Sequence, residues 1–152
     1  MNEPEASRPH VPGYGIPQSV EGLLSWPNVA NRLEAATSYW LVTAGPHGWP
    51  HSRPVDGVWL DGVLYFAGGA TRWSRNLREN PRAEVHLEST QRVVILEGEV
   101  ERVSPNAHGM ESVNEAGRRK YGNEYKGDRW GFKPNVAFAW KDFPADATRW
   151  RF

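Results

Sequence analysis

The sequence predicts an α+β fold that is mainly β, with six antiparallel strands forming a small β-barrel and short peripheral helices. From residue 38 onward, short runs rich in β-branched and aromatic residues alternate with turn signals. One signal, Asp61-Gly62, lies directly between two apolar runs and is typical of a tight antiparallel hairpin. The length of 152 residues suits a single domain, predicted at 18–152, after an N-terminal arm at 1–17 that is rich in proline, glycine and charge.

The individual elements are predicted from local signals. A first helix is predicted at 26–37, because Ser25 can cap it and Pro27 suits its first turn. Similarly, Ser104 and Pro105 are typical of the start of a helix. Strands are predicted at 38–44, 49–60, 63–67, 83–88, 92–103 and 135–140, and two further helices at 72–80 and 105–120.

Composition limits the classes of partner and compartment. Lysine plus arginine equals aspartate plus glutamate at 18 each, and this neutrality argues against nucleic acid and against an anionic membrane surface. No apolar run approaches the roughly 20 residues of a membrane span, and the N-terminus has no apolar stretch of the signal-peptide type. With no cysteine, and with five scattered histidines that lack metal-ligand spacing, no metal site is predicted. We expect a cytoplasmic protein.

The most specific functional pattern lies in residues 61–89, which read as a strand, a glycine turn, an arginine-rich helix and another strand. Arg72 and Arg75 share one face of the first helical turn, beside backbone N–H groups that a helix leaves unpaired at its start. Gly68 and Gly69 permit a ligand to approach the backbone closely. The pattern predicts a phosphate-binding site. A capped surface helix with solvated arginines gives the same pattern, and both interpretations stay open.

Residues 65–87, YFAGGATRWSRNLRENPRAEVHL, resemble the signature of the pyridoxamine 5′-phosphate oxidase-like flavoproteins. This FMN-binding split β-barrel group also includes the F-420 (deazaflavin)-dependent oxidoreductases. Residues 39–44, 50–62 and 93–103 are similar to the strands that surround the signature in this family. The resemblance extends over residues 20–152.

The resemblance implies a split β-barrel homodimer that binds FMN in clefts between the subunits and transfers hydride to or from a small organic substrate. It places one set of residues along the flavin ring: Ser52, Arg53, Pro54 and Val55. A second set binds or supports the phosphate: Thr71, Arg72, Ser74, Arg75 and Asn76. A third set lies in a C-terminal arm that reaches a cofactor site: Arg149, Trp150 and Arg151. Arg53, or a backbone N–H group near residues 53–55, is expected to stabilise negative charge on the reduced ring, and no dedicated catalytic acid or base is evident.

Two departures from the family pattern leave the cofactor and substrate open. Many relatives carry a lysine where this chain has Trp73, and an aromatic residue where it has Asp56. F-420 is the alternative cofactor, because its acidic tail suits an extended basic groove. A non-catalytic flavin- or haem-binding protein of the same fold, and a plain β-barrel interaction module, are the other hypotheses. The basic and aromatic stretch 119–133 is predicted to be a loop over the cofactor cleft.

Overall fold

The computed structural model describes residues 3–123 and 129–152, which form one antiparallel sheet with three helices. Within that part of the chain no helix is long and apolar enough to cross a bilayer. The helices are α1 (Trp26–Ala35), α2 (Arg72–Glu79) and α3 (Met110–Tyr121). The strands are β1 (Glu5–Ser7), β2 (Tyr39–Ala44), β3 (Pro50–Val55), β4 (Val58–Leu60), β5 (Val63–Ala67), β6 (Arg82–His86), β7 (Val93–Val103), β8 (Arg129–Trp140) and β9 (Thr148–Arg151).

The sheet runs in the order β3-β2-β6-β7-β8-β9-β1, and β5 and β4 branch from the same central strand, β8. Along one edge β8 pairs with β7, and along its other edge it pairs first with β5 and then with β9. This branching divides the sheet into two lobes and is the feature that splits the barrel. The predicted α+β, mainly β, split β-barrel fold is confirmed, with nine strands among the described residues instead of six.

Three strands account for the difference in number. The predicted strand 49–60 bends at Gly57 and becomes β3 and β4, and a Cβ atom at Gly57 would stand 2.9 Å from the Leu64 Cδ1 atom. Residues 5–7 of the predicted arm form β1, and the end of the chain forms β9, which pairs with both β1 and β8. These pairings join segments that are distant in sequence, so no local signal predicts them.

The strand predicted at 135–140 begins at Arg129 instead, because the sheet tolerates a proline inside it. Pro134 has no N–H to donate to the ladder. The register of β7 against β8 shifts at Gly98, directly opposite Pro134, and this irregularity absorbs the missing hydrogen bond. A Cβ atom at Gly98 would stand 2.0 Å from the carbonyl oxygen of Lys133, so only glycine fits there.

The start of α3 is determined by a left-handed glycine and not by the predicted cap. The helix begins after Gly109, whose φ is 87°, whereas the sequence predicted a helix at 105–120 capped by Ser104. Ser104 instead accepts a hydrogen bond from the N–H of Asn106 at 3.3 Å, inside a turn. The prediction of the helix start is therefore wrong.

Two smaller predictions are also corrected. Ser25 has the extended backbone of an N-cap residue before α1, but its side chain makes no capping hydrogen bond. Of the predicted loop 119–133, residues 119–121 belong to α3 and residues 129–133 to β8. Residues 122 and 123 form a bend, and residues 124–128 lie outside the described residues.

The core lies between the inner face of the sheet and helices α1 and α2. Its largest fully buried side chains are aromatic: Tyr39, Phe66, Trp130, Phe132 and Trp150. Each such side chain removes on the order of 150–250 Å² from water, which stabilises the fold by about 4–6 kcal/mol before entropic costs. Four of the eight tryptophans, Trp59, Trp73, Trp130 and Trp150, are buried in this core.

Candidate functional site

Side chains on the buried face of α2 fix this helix to the end of β2. The Nδ2 atom of Asn76 donates a hydrogen bond to the hydroxyl oxygen of Thr43 at 3.0 Å, in a buried position. The Nδ2 atom of Asn80 donates to the carbonyl oxygen of Ala44 at 3.2 Å. A Cβ atom at Gly45 would stand 2.8 Å from the Oδ1 atom of Asn76, so the amide and the strand are in close contact. Asn76 thus supports the helix from its buried side.

The helix divides its residues as the sequence predicts. Trp73 and Leu77 are buried below it, whereas Arg72, Arg75 and Arg78 are exposed on the opposite side. No acidic residue lies in the first turn. The start of α2 therefore presents two guanidinium groups to solvent without a neighbouring carboxylate from the same turn.

A reciprocal capping box closes the start of α2. The Thr71 hydroxyl oxygen accepts a hydrogen bond from the N–H of Ser74, and the Ser74 hydroxyl oxygen accepts one from the N–H of Thr71, both at 3.1 Å. Ser74 also donates its hydroxyl hydrogen to the carbonyl oxygen of Gly69 at 2.8 Å. The cap occupies the Ser74 hydroxyl group and uses the Thr71 hydroxyl oxygen as an acceptor only, so the Thr71 hydroxyl hydrogen is available as a donor. Within residues 3–123 and 129–152, the N–H groups of Arg72 and Trp73 have no hydrogen-bond partner.

The two glycines before α2 differ in role. A Cβ atom at Gly68 would stand 2.3 Å from the Trp73 ring, so Gly68 makes room for the indole and not for a ligand. Nothing lies within 4 Å of a Cβ atom built at Gly69. The ring of Trp73 packs edge-on against Phe66 at 5.4 Å and against Trp130 at 6.0 Å. The position where many relatives carry a lysine is therefore a core position here.

The ring-side residues of β3 are divided between two faces of the sheet. Side chains alternate along a strand, so Arg53 and Val55 share the inner face with His51, and Ser52 and Pro54 share the outer face. Within the described chain β3 pairs with β2 alone and forms an edge of the sheet. Val55 is buried, while the other three predicted ring-side residues are exposed.

The inner face of β3 meets the start of α2 at His51, which is only 6% exposed. Burial lowers the pKa of His51, and the positive charges of Arg53 and then Arg72 lower it further. Both charges act on this imidazole, and α2 packs against β3. The arrangement joins β3 and α2 in one positively charged site around a neutral histidine.

The C-terminal residues belong to β9 and not to a separate arm. Trp150 is fully buried and packs against Trp26, with their ring centroids 5.4 Å apart. The Nε1 atom of Trp150 has no hydrogen-bond partner in the described structure. Arg149 donates from Nε to the hydroxyl oxygen of Ser7 at 3.2 Å, and Arg151 is exposed. Arg149 and Arg151 therefore lie on the outer face, with Trp150 pointing into the core between them.

The outer face carries two rows of side chains that the strand register aligns from β3 to β9. The first row is Ser52, Val42, Glu84, Glu97, Val136 and Arg151, and the second is Pro54, Trp40, His86, Ile95, Phe138 and Arg149. Neighbouring strands are about 4.8 Å apart, so β3 and β9 are separated by about 24 Å along the sheet. A single chain does not bring the predicted ring-side residues and the C-terminal arginines together.

The middle of the outer face holds a histidine and two carboxylates that the sequence did not indicate as site residues. The Nδ1–H of His86 donates to the carbonyl oxygen of Leu87 at 2.9 Å, and Trp40 stacks on the imidazole at 6.2 Å with an interplanar angle of 18°. Burial raises the pKa of Glu84, the charge of His86 lowers it, and that of Glu97 raises it. The alternation of polar with apolar residues in β6 was the available sequence signal for this face.

The site at α2 and β3 is an open surface in the single chain. Two cavities, of about 760 and 690 Å³, lie beside α1, one toward α3 and one toward the turn between β6 and β7. Neither contains any of the predicted cofactor-binding residues. Among the described residues, no group of three or more histidine, aspartate and glutamate side chains is placed to hold a metal ion.

The family of the chain follows from its sequence match and its fold. Residues 25–145 match the family model described as pyridoxamine 5′-phosphate oxidase, and the chain belongs to this family. The match includes β2 to β8 and all three helices. The resemblance predicted from residues 65–87 is confirmed at this level. No curated protein matches the chain.

Solved structures share this fold at low sequence identity. The haem storage protein HutZ from Vibrio cholerae aligns with a TM-score of 0.63 and 14% identity, over 75% of this chain and 93% of its own. An FAD-binding protein from Mesorhizobium loti aligns with a TM-score of 0.59 and 20% identity, over 83% and 93% of the two chains. An F-420 reductase aligns with a TM-score of 0.54 and 20% identity, over 69% and 91%. At these identities the similarity shows the fold.

Proposed function

We propose that the protein is a flavin-dependent oxidoreductase that binds FMN in a cleft between two identical subunits and transfers hydride to or from a small organic substrate. The observation that carries the proposal is the packing of α2 against β3, where the charges of Arg53 and Arg72 both act on the buried His51. The sequence assigned these arginines to separate parts of one ligand, the ring and the phosphate. Their convergence supports a single anionic ligand that extends from the start of α2 along β3.

The donors at the start of α2 fit a phosphate group. The guanidinium groups of Arg72 and Arg75 are exposed, and the Thr71 hydroxyl and the N–H groups of Arg72 and Trp73 add hydrogen-bond donors. No carboxylate in this turn opposes an anion. Ser74 and Asn76 act behind these donors, because the first closes the cap and the second holds the helix to β2.

The residues of β3 would hold the ring and adjust its electrostatics. When bound, FMN supplies the hydride chemistry, and the protein supplies orientation and charge. Arg53 places a fixed positive charge on the inner side of the strand, which favours an anionic edge of the ligand there. Because its pKa is lowered, His51 remains neutral near neutral pH and offers the site a proton acceptor instead of a third positive charge.

A homodimer would bring the C-terminal arginines to β3, because Ser52 and Pro54 at one edge and Arg149 and Arg151 near the other share one outer face. A two-fold axis that pairs the outer faces of two copies brings the β9 edge of one subunit toward the β3 edge of the other. Arg149 and Arg151 of one copy would then approach Ser52 and Pro54 of the other. Trp150 would support these arginines from the core beneath β9.

Parallel titrations with FMN and F-420, followed by absorbance and fluorescence, test the proposal. We expect FMN to bind at micromolar or lower concentration, and Arg72→Gln and Arg75→Gln each to weaken it at least tenfold, because each removes a charge-assisted hydrogen bond. Arg119→Gln is the matched control, since Arg119 is 76% exposed on α3, away from this site. Unchanged FMN affinity in both α2 variants would contradict the phosphate assignment. If FMN binds, turnover assays with the reduced cofactor decide whether the protein is an enzyme.

Two alternatives have their own signatures in the same experiment. F-420 needs a longer basic groove, so Arg82→Gln would lower the affinity for F-420 and leave the affinity for FMN unchanged. Haem binding is favoured by His86, because the hydrogen bond from its Nδ1–H to Leu87 leaves a lone pair on Nε2, beside the flat surface of Trp40. A haem absorbance band that is lost in His86→Gln, with no FMN binding, would replace the flavin proposal by a haem-binding one.

A further inference from the structure

A second positively charged cavity lies at the opposite end of β2, between the end of α1 and the turn that joins β6 to β7. Its volume is about 690 Å³, and its lining includes Arg32, Arg92 and Trp40. The Nη2 atom of Arg32 donates a hydrogen bond to the carbonyl oxygen of Arg92 at 2.6 Å, which draws the two arginines together. The side-chain hydroxyl groups of Thr37 and Ser38 also line the cavity.

The two guanidinium groups are not balanced by their surroundings. Burial lowers the pKa of Arg32, the charge of Arg92 lowers it further, and the charge of Glu88 raises it. Glu88 lines the same cavity, but in the described structure it forms no ion pair with either arginine. Two positive groups therefore face one carboxylate, and the cavity keeps an excess of positive charge that suits an anion.

The geometry of the cavity is fixed before any ligand arrives. The hydroxyl oxygen of Ser89 accepts hydrogen bonds from the N–H groups of Gln91 at 3.2 Å and Arg92 at 2.8 Å, which holds the turn that carries Arg92. Trp40 is 37% exposed and stacks on His86, so the indole is held flat at the border of the cavity. Two arginines beside an indole ring are an arrangement that recognises a planar anion.

We propose that this cavity binds a small aromatic anion, a carboxylate or a phosphate monoester, with its charged group between Arg32 and Arg92 and its ring against Trp40. The inference goes beyond the proposed flavin site, because the cavity contains none of the predicted cofactor-binding residues, although Trp40 lies opposite Pro54 in the sheet register. Trp40 on the outer face and Thr43 on the inner face are separated by about 10 Å along the strand. The cavity shares Trp40 alone with the two rows of the outer face.

Titration with phenyl phosphate, benzoate and inorganic phosphate, measured by calorimetry and by tryptophan fluorescence, tests this inference. We expect phenyl phosphate to bind at least tenfold more tightly than inorganic phosphate, because it adds the ring to the charge. Arg92→Gln should weaken phenyl phosphate at least tenfold. Trp40→Ala should lower the affinity for phenyl phosphate until it is close to the affinity for inorganic phosphate. Arg92 is the first choice for substitution because Arg32 holds the turn through its hydrogen bond.

Controls separate this cavity from the site at α2. Inorganic phosphate can also bind at the start of α2, so each titration is repeated with Arg72→Gln. This substitution should leave the affinity of the cavity for phenyl phosphate unchanged. Conversely, Arg92→Gln should leave FMN affinity unchanged, so either proposal can fail without the other. Circular dichroism and thermal unfolding confirm that each variant is folded. No binding at millimolar phenyl phosphate, or equal binding in folded wild type and Arg92→Gln, would overturn the inference.

Discussion

Replacing Trp73 with alanine tests how α2 is held above the core. Trp73 is 5% exposed and lies in the first turn of α2, next to the proposed phosphate donors. Its ring contacts Phe66 and Trp130 and fills the space left by Gly68. Its removal leaves a large void that the surrounding strands cannot close without distorting the sheet.

The expected magnitude follows from the area that the side chain buries. A buried tryptophan removes about 150–250 Å² from water, worth about 4–6 kcal/mol as an upper bound at 25 cal/mol per Å². Measured substitutions of this kind cost about 3–5 kcal/mol. We therefore expect Trp73→Ala to lower the free energy of unfolding by about 3–5 kcal/mol, a large part of the 5–15 kcal/mol typical of a domain.

Urea unfolding followed by circular dichroism measures this change, and the chain offers a matched control. Trp49 is the same residue type but is 74% exposed, so Trp49→Ala should change the free energy of unfolding by less than about 0.5 kcal/mol. If the two variants differ by less than about 1 kcal/mol with equal denaturant slopes, Trp73 does not pack as described. The reasoning about α2 would then be wrong.

A lysine at the same position should not restore the family pattern. In this chain the position faces the core, and an ammonium group there would lose its hydration without gaining a partner. We expect Trp73→Lys to unfold at a urea concentration no higher than that of Trp73→Ala. We also expect it to bind FMN no more tightly than the wild type. Tighter FMN binding in a stable lysine variant would show that the side chain reaches the phosphate.

Three other substitutions have defined outcomes. Gly98→Ala places a Cβ atom 2.0 Å from the carbonyl oxygen of Lys133, so we expect the free energy of unfolding to fall by about 3 kcal/mol or more. Thermal unfolding measures this change, and Gly69→Ala is the control because nothing lies within 4 Å of its new Cβ atom. Ser74→Ala removes the reciprocal cap and should cost about 1–2 kcal/mol in urea unfolding, while an unchanged midpoint would mean that the cap contributes nothing. Because the pKa of His51 is lowered in the folded state, the unfolded chain binds more protons on acidification, so stability should fall as the pH drops below about 6.5. His51→Gln should flatten this dependence between about pH 5 and 7, and an identical pH profile in wild type and variant would count against the site geometry.

Elements with strong local signals were predicted well from the sequence. The Asp61-Gly62 hairpin is confirmed, with φ of 51° and 79° at its two residues, because these residue types tolerate the left-handed region that the turn requires. Strand β5 was predicted with its observed bounds, 63–67, and α2 ends one residue before its predicted end at 80. In both cases a hairpin turn or a cap fixes the element locally.

Elements that depend on distant partners were not predictable. β1 has three residues and exists because β9 lies beside it. The guanidinium group of Arg8 fixes the chain that follows, since it donates to the carbonyl oxygens of Ser19, Glu21 and Ala145. No local pattern shows that residues more than 130 positions apart will meet, as Arg8 and Ala145 do.

The residues of the candidate site were predictable from the sequence, but the face of the sheet on which each of them lies was not predicted. The sequence identified Arg72 and Arg75 from helical periodicity, and both are exposed on one side of α2. Strand alternation alone would have separated Arg53 from Ser52 and Pro54, since neighbouring side chains point to opposite faces. Which face of a strand packs against the core depends on the arrangement of the whole sheet, and only the folded structure shows it.

Trp73 links the stability of the fold to the choice of cofactor. One position in the first turn of α2 cannot both fill the core and neutralise a phosphate, and in this chain the core occupies it. The proposed phosphate must therefore rely on Arg72, Arg75 and unpaired backbone N–H groups, which together supply less net positive charge than a site with an added lysine. Each remaining arginine should consequently contribute more to affinity here than in a relative that keeps the lysine. The comparison of Arg72→Gln and Arg75→Gln with the two Trp73 variants measures that dependence directly, because Trp73→Ala removes the ring alone whereas Trp73→Lys removes the ring and adds a charge.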